Sequence, residues 1–164
     1  MNDANPVIDA KVDHVTVIVK DVEATRTALS ALLGVEPTHE VSLPGMAIRT
    51  FRLGDVELHV NAPTGPGPVR DFLERSGGPA YHHVALRVED LDAALQRARD
   101  AGFRLLGAPV ETAPGLREIF LDPTTTGGVM IQLVERRSTD KDTLDAGAIG
   151  ELVSQLSKAP AGGG

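Results

Sequence analysis

Five histidines and no cysteine define the metal chemistry open to this 164-residue chain. Without thiols there is no disulfide, thiolate metal site or cysteine nucleophile, so a bound metal falls to imidazole, carboxylate or amide donors. Two of the histidines stand in matched surroundings. Asp13-His14-Val15-Thr16-Val17-Ile18-Val19 reads against His82-His83-Val84-Ala85-Leu86-Arg87-Val88, and His14 lies over His83, 69 positions later. Alternate side chains of a strand share one face, so equivalent imidazoles in two copies of one strand can share a cavity. His39, in Thr38-His39-Glu40, is expected on an exposed strand or turn. Of the adjacent His82 and His83, only one can point inward from a regular strand.

The repeat extends beyond those strands. Each copy continues into an acidic turn and then a helical stretch. In the first copy Glu23 to Leu33 is helix-like, with Leu29, Leu32 and Leu33 at core spacing and Gly34 as a stop. In the second, Leu91, Ala94, Leu95 and Ala98 form the stripe and Gly102 ends it. Three strands are expected after each helix: Thr38–Val41, Ala47–Leu53 and Val56–Asn61, then Arg104–Leu106, Arg117–Leu121 and Val129–Glu135. The chain is therefore read as α+β: two paired βαβββ modules, about 11–61 and 80–136, forming a curved mixed sheet around a central cavity. One such module exposes a sheet face, and pairing two buries it. The linker, 62–79, holds four prolines and four glycines and a short helix from Val69 to Ser76. Residues 1–137 make the domain. The remaining 138–164 form a tail: a polar start at Ser138 to Asp142, a helix with Leu144, Ala148, Leu152 and Leu156 on one face, and a disordered-looking end from Ala159. Packing or a dimer contact is the expected use of that helix.

Composition narrows the function classes. Sixteen basic residues against 23 acidic give a formal charge of -7, and aromatics are only 3% of the chain. Such a field repels phosphate backbones and stacking platforms are scarce, so no nucleic-acid partner is expected. No apolar run approaches the roughly 18 residues of a spanning helix, and the first residues carry no secretory pattern. A cytoplasmic protein with a small-molecule substrate and no membrane partner is expected.

The ordered motifs resemble one family. Asp13-His14-Val15, the turn Leu53-Gly54-Asp55 leading to Pro63, the helix Val69 to Arg75, the strand His82-His83-Val84-Ala85, and the closing Pro123, Gly127, Gly128, Val129, Met130 and Ile131 follow in the order seen in the vicinal oxygen chelate superfamily. That group includes glyoxalase I, extradiol dioxygenases and methylmalonyl-CoA epimerases, and the last look most similar over residues 11 to 136. The resemblance implies one divalent metal ion held by four inward side chains, from the first and last strand of each module. By position these are His14, His59, His83 and Gln132. The family usually has Glu or Gln where His59 stands and Glu where Gln132 stands. Zn, Co, Ni, Mn and Fe all suit the implied site, and identity among them is open.

The family's chemistry, enolisation beside a carbonyl or thioester, needs a base near the α carbon. The two family carboxylates for that task fall here on Gln132 and about Ile48, neither of them basic. Glu118 occupies the second-module counterpart of Ile48 by the internal repeat. It is expected on the cavity wall with a raised pKa, against the alternative of an outer-face partner to Arg117 or Arg104. Arg49, Arg52 and Arg117 are the candidates for an anionic substrate group, such as the phosphates of an acyl-CoA. The implied function is a metal-dependent isomerase or epimerase acting on an acyl-CoA or related carbonyl compound, as a homodimer. A glyoxalase-type lyase, an Fe(II) dioxygenase and a metal-free ligand- or antibiotic-binding protein are the alternatives.

Overall fold

The computed structural model describes residues 9–137 and 144–159. The polar start expected of the tail, and its glycine-rich end beyond Ala159, lie outside the described residues. Chain order is β1 (Lys11–Ile18), α1 (Val22–Leu33), β2 (His39–Leu43), β3 (Met46–Leu53), β4 (Val56–Pro63), α2 (Pro68–Arg75), β5 (Ala80–Val88), α3 (Leu91–Asp100), β6 (Val110–Ala113), β7 (Leu116–Phe120), β8 (Ile131–Arg136) and α4 (Ala146–Ser154). The duplication is local as well as global. Asp21 and Asp90 cap α1 and α3 with the same extended backbone, each side chain accepting from the N–H three residues on. Gly34, at φ 69°, closes α1 in the left-handed conformation that favours glycine.

All eight strands make one mixed sheet in the order β2-β3-β4-β1-β5-β8-β7-β6. Each module contributes four consecutive strands, and the antiparallel β1–β5 pair joins them. Within the modules β1 runs parallel to β4 and β5 parallel to β8. Corresponding strands therefore sit at mirrored places about the seam, and the inward faces of β1, β4, β5 and β8 meet at the centre.

The helices α1 and α3 cover one face. Leu91, Leu95, Ile119, Leu121 and Leu133 form one cluster there, and Val19, Phe51 and Val60 with Leu29 form the other. The two helices are not equally seated: α3 buries four residues and α1 none, and Leu32 is 79% exposed. Of the stripe Leu29, Leu32 and Leu33, only Leu29 packs into a core cluster. A second departure concerns β6. Arg104–Leu106 makes only the isolated bridge Leu105 to Leu121, and the ladder strand beside β7 is Val110–Ala113.

The other face receives α4. Ile149 packs with Ile18 and Met46 of the first module and with Val69 and Leu73 of α2, while Leu152 packs with Leu106, Val110 and Phe120 of the second module. Beyond the helix Gln155 is buried, donating to the Ala108 carbonyl at 2.7 Å and accepting from the Phe120 N–H at 3.3 Å. The tail's apolar face thus packs on its own chain, bridging both modules across the concave side. Among the described residues no helix is long and apolar enough to cross a membrane.

Candidate active site

Strand alternation sets the site. His14 and Thr16 of β1, Glu57, His59 and Asn61 of β4, His83 of β5, Glu118 and Phe120 of β7, and Gln132 and Arg136 of β8 all line one cavity of about 140 Å³. Thr16 lies opposite both His59 and His83 in the ladders, and Gln132 lies opposite Ala85 and Phe120. The four side chains implied as metal donors are thus brought to one place.

Asp13 accepts from His14 Nδ1 at 2.9 Å and from Nε and Nη2 of Arg136, both at 2.8 Å. Burial works to raise the Asp13 pKa, but these hydrogen bonds outweigh it and hold the carboxyl well below its usual range. A carboxylate only accepts, so His14 carries a proton on Nδ1. Its Nε2 faces His83 Nε2 at 3.3 Å, and Thr16 Oγ1 lies 3.2 Å from the same His83 nitrogen. His59 stacks on His14, ring centroids 4.0 Å apart, and donates from Nε2 to Glu57 at 3.1 Å. Burial, reinforced by the neighbouring His14 imidazole, lowers the His59 pKa to about 4. Burial also pushes His83 well below the ordinary histidine range, with the adjacent imidazoles adding to the effect. Both rings are neutral at pH 7, as metal ligation requires.

Glu118 faces the same space from β7. It is 8% exposed, accepts from the Thr112 hydroxyl, and accepts from Gln132 Nε2 at 3.2 Å. Among the described residues it makes neither of the alternative outer-face contacts, to Arg117 or Arg104. Burial raises its pKa, opposed by the Thr112 hydrogen bond. Gln132 spends its amide N–H on Glu118, which leaves its carbonyl oxygen buried without a hydrogen-bond partner. The neighbouring Gln132 side chain works against the lowering at His83 without reversing it. Ile48 also lines the cavity, on the strand that corresponds to β7 in the first module.

The three arginines expected to hold an anion are elsewhere. Arg49 pairs with Glu23 of α1 and Glu40 of β2, and Arg117 with Asp92 and Glu135 on the α3 side. Arg52 follows the inward parity of β3 but lies near the sheet end, its side chain 55% exposed and paired with Glu57. None of them lines the cavity; Arg136 does. Glu57 and Arg136 are the charged cavity residues that sequence reading missed. For Glu57 a signal existed: it stands two residues before His59 and so shares its face. His39, expected to be exposed, also contributes to the lining. His82 is buried beside His83, because a bulge in β5 places an extra residue there.

The donor set fits a divalent ion in chemistry. Two nitrogens bound at about 2.0–2.1 Å to one tetrahedral ion lie roughly 3.3–3.4 Å apart, and His14 Nε2 and His83 Nε2 are separated by 3.3 Å. The orphaned Gln132 oxygen is a third acceptor without a proton to share. Among the described residues, however, no three His, Asp or Glu side chains already enclose one point. His59 is the one turned aside, stacked flat on His14 with its Nε2 held by Glu57.

A fold of paired βαβββ modules with histidines converging from both defines a class, and comparison with known proteins identifies it. Residues 13–120 match the model of the Glyoxalase/Bleomycin resistance protein/Dioxygenase superfamily, and the chain belongs to that superfamily. It is 32% identical over 133 residues to the ethylmalonyl-CoA/methylmalonyl-CoA epimerase of Cereibacter sphaeroides, covering 75% of this chain and 96% of that protein. The methylmalonyl-CoA epimerase of Mycobacterium tuberculosis superposes with a TM-score of 0.72 at 28% identity, covering 82% of this chain and 93% of the other. A Streptomyces coelicolor methylmalonyl-CoA epimerase variant in complex with 2-nitronate-propionyl-CoA gives 0.69 at 26% identity, covering 78% and 95%.

Proposed function

We propose that this chain is an epimerase of a short malonyl-type acyl-CoA thioester, acting by enolisation at the α carbon. The observation that carries the reading is Glu118, a buried carboxyl of raised pKa on the same cavity wall as His14, His59 and His83. Its relatives named as acyl-CoA epimerases support the substrate class.

His14, His59, His83 and the Gln132 oxygen would hold a divalent ion. When bound, the ion would supply a fixed positive charge that favours the enolate over the thioester. The chain does the rest. Glu118 takes the α proton: the C–H bond breaks, an O–H bond forms on the carboxyl, and the electron pair moves toward the thioester oxygen. Its raised pKa brings it nearer the acidity at which a general base works at neutral pH. Gln132, donating to Glu118, orients the carboxyl without competing for the proton. Inversion requires the proton to return to the other face. Glu57, a buried cavity carboxyl from the first module, would deliver its own proton to that face when protonated, and is left ionised while Glu118 holds the proton taken from the substrate.

The cavity suits the acyl group alone, so the CoA tail lies outside it. Ile149 and Leu152 of α4, with Ile48 and Phe120, make part of the wall apolar, which suits an alkyl substituent on the α carbon. Incubating the Co²⁺-loaded protein with one epimer of methylmalonyl-CoA or ethylmalonyl-CoA tests the proposal. The opposite epimer should accumulate to an equal mixture. A substrate that stays in its starting configuration in both cases would refute the assignment.

A further inference from the structure

The ladder between β1 and β5 slips by one residue. Thr16 lies opposite His83 and Val17 opposite Tyr81, which leaves His82 as the extra residue of a bulge. A bulge re-aims side chains that a regular strand would send to opposite faces. His82 and His83 are accordingly both buried, 7% and 6% exposed, with their Nδ1 atoms 2.7 Å apart. Two ring nitrogens at that distance share one proton: one Nδ1–H donates and the other Nδ1 accepts. Phe72 holds the His82 ring edge-on, centroids 4.6 Å apart. On its other side, His83 presents Nε2 to His14.

We propose that His82 is a positioning residue for metal binding, accepting a hydrogen bond from His83 Nδ1–H and so keeping the His83 lone pair on Nε2, toward the cavity. The inference rests on the reading of His83 as a metal ligand. A neutral imidazole has one N–H, so the opposite pairing would put the proton on Nε2 and remove that atom as a donor to the ion. Metal-bound histidines depend on such a partner behind the ring, commonly a carboxylate. His14 has one in Asp13. Behind His83 no carboxylate lines the space beside His82 among the described residues, and a second imidazole takes the place. The bulge makes this pairing possible: in a regular strand His82 would leave β5 on the face opposite His83.

Co²⁺ affinity of the stripped protein, measured by competition with a coloured chelator, tests this in wild type, His82→Phe and His82→Asn. Phe keeps a ring against Phe72 but cannot accept, whereas Asn retains an acceptor oxygen near the place of Nδ1. Binding should weaken about 10–100-fold in His82→Phe and stay within about threefold of wild type in His82→Asn. Wild-type affinity in His82→Phe, or an equal loss in His82→Asn, overturns the inference and leaves the metal-ligand reading standing. A wild-type protein that binds no Co²⁺ overturns both. Ring ¹⁵N shifts of the Zn²⁺ form give an independent reading that needs no variant. His83 should carry its proton on Nδ1 and His82 on Nε2, and the reverse assignment overturns the inference.

Discussion

On the proposed ligand set, His83→Ala is expected to hold no divalent ion and, with that, to lose all measurable turnover. The loss in affinity should exceed the roughly 10–100-fold that follows removal of a partner behind a ligand, because a donor atom itself is gone. His83 also sits at the centre of the cluster, within 3.3 Å of His14, Thr16 and His82. Folding should suffer far less. The apolar clusters around Leu91, Ile119 and Leu133, and around Phe51 and Val60, contain no part of this ring. Elemental analysis after dialysis, with a thermal melt, checks both halves. Retained metal stoichiometry in this variant would remove His83 from the donor set.

Glu118→Gln should separate proton transfer from binding. The substitution keeps the size of the side chain and its place beside Thr112 and Gln132 while removing the basic oxygen. Metal content and melting temperature should change little, and kcat should fall by about 10²–10⁴, the worth of a positioned general base. Because the carboxyl is buried and its pKa already raised, the variant escapes the cost of desolvating a charge. A loss of stability is therefore not the expected route to inactivity. Unchanged turnover would make Glu118 a structural carboxyl and move the proton-transfer role to Glu57.

The duplicated opening, His14 over His83, made the two-module sheet legible before any coordinates, because period-two alternation and paired Asp caps are local signals. Glu118 on the cavity wall followed from the same symmetry. What symmetry could not reach was decided by tertiary context. β6 falls on Val110–Ala113 because Arg104–Leu106 is used at the end of β7, where Leu106 N–H bonds the Phe120 carbonyl and Asp122 N–H the Arg104 carbonyl. The arginines lie off the cavity for a simpler reason. Arg49 and Arg117 have the outward parity of Phe51 and Ile119, and acidic side chains near the sheet's helix side claim them. Arg136 escaped notice because it closes β8, past the last family motif, and only the fold brings it to Asp13. The bulge at His82 left no trace in the strand pattern, since a single extra residue alters register and not composition. Nor does an amphipathic tail announce which surface it covers. That α4 walls the cavity through Ile149 and Leu152 is a property of the packed chain.

Exchange of the substrate α proton with solvent reads enolisation without requiring inversion. Methylmalonyl-CoA in D₂O should incorporate deuterium at the α carbon, followed by proton NMR, when the protein carries Co²⁺ or another divalent ion. The rate should collapse after chelation and return when the ion is restored. Exchange that proceeds equally in the stripped protein would contradict the metal-dependent account. Absence of exchange with every divalent ion tried, for both methylmalonyl-CoA and ethylmalonyl-CoA, would contradict enolisation itself.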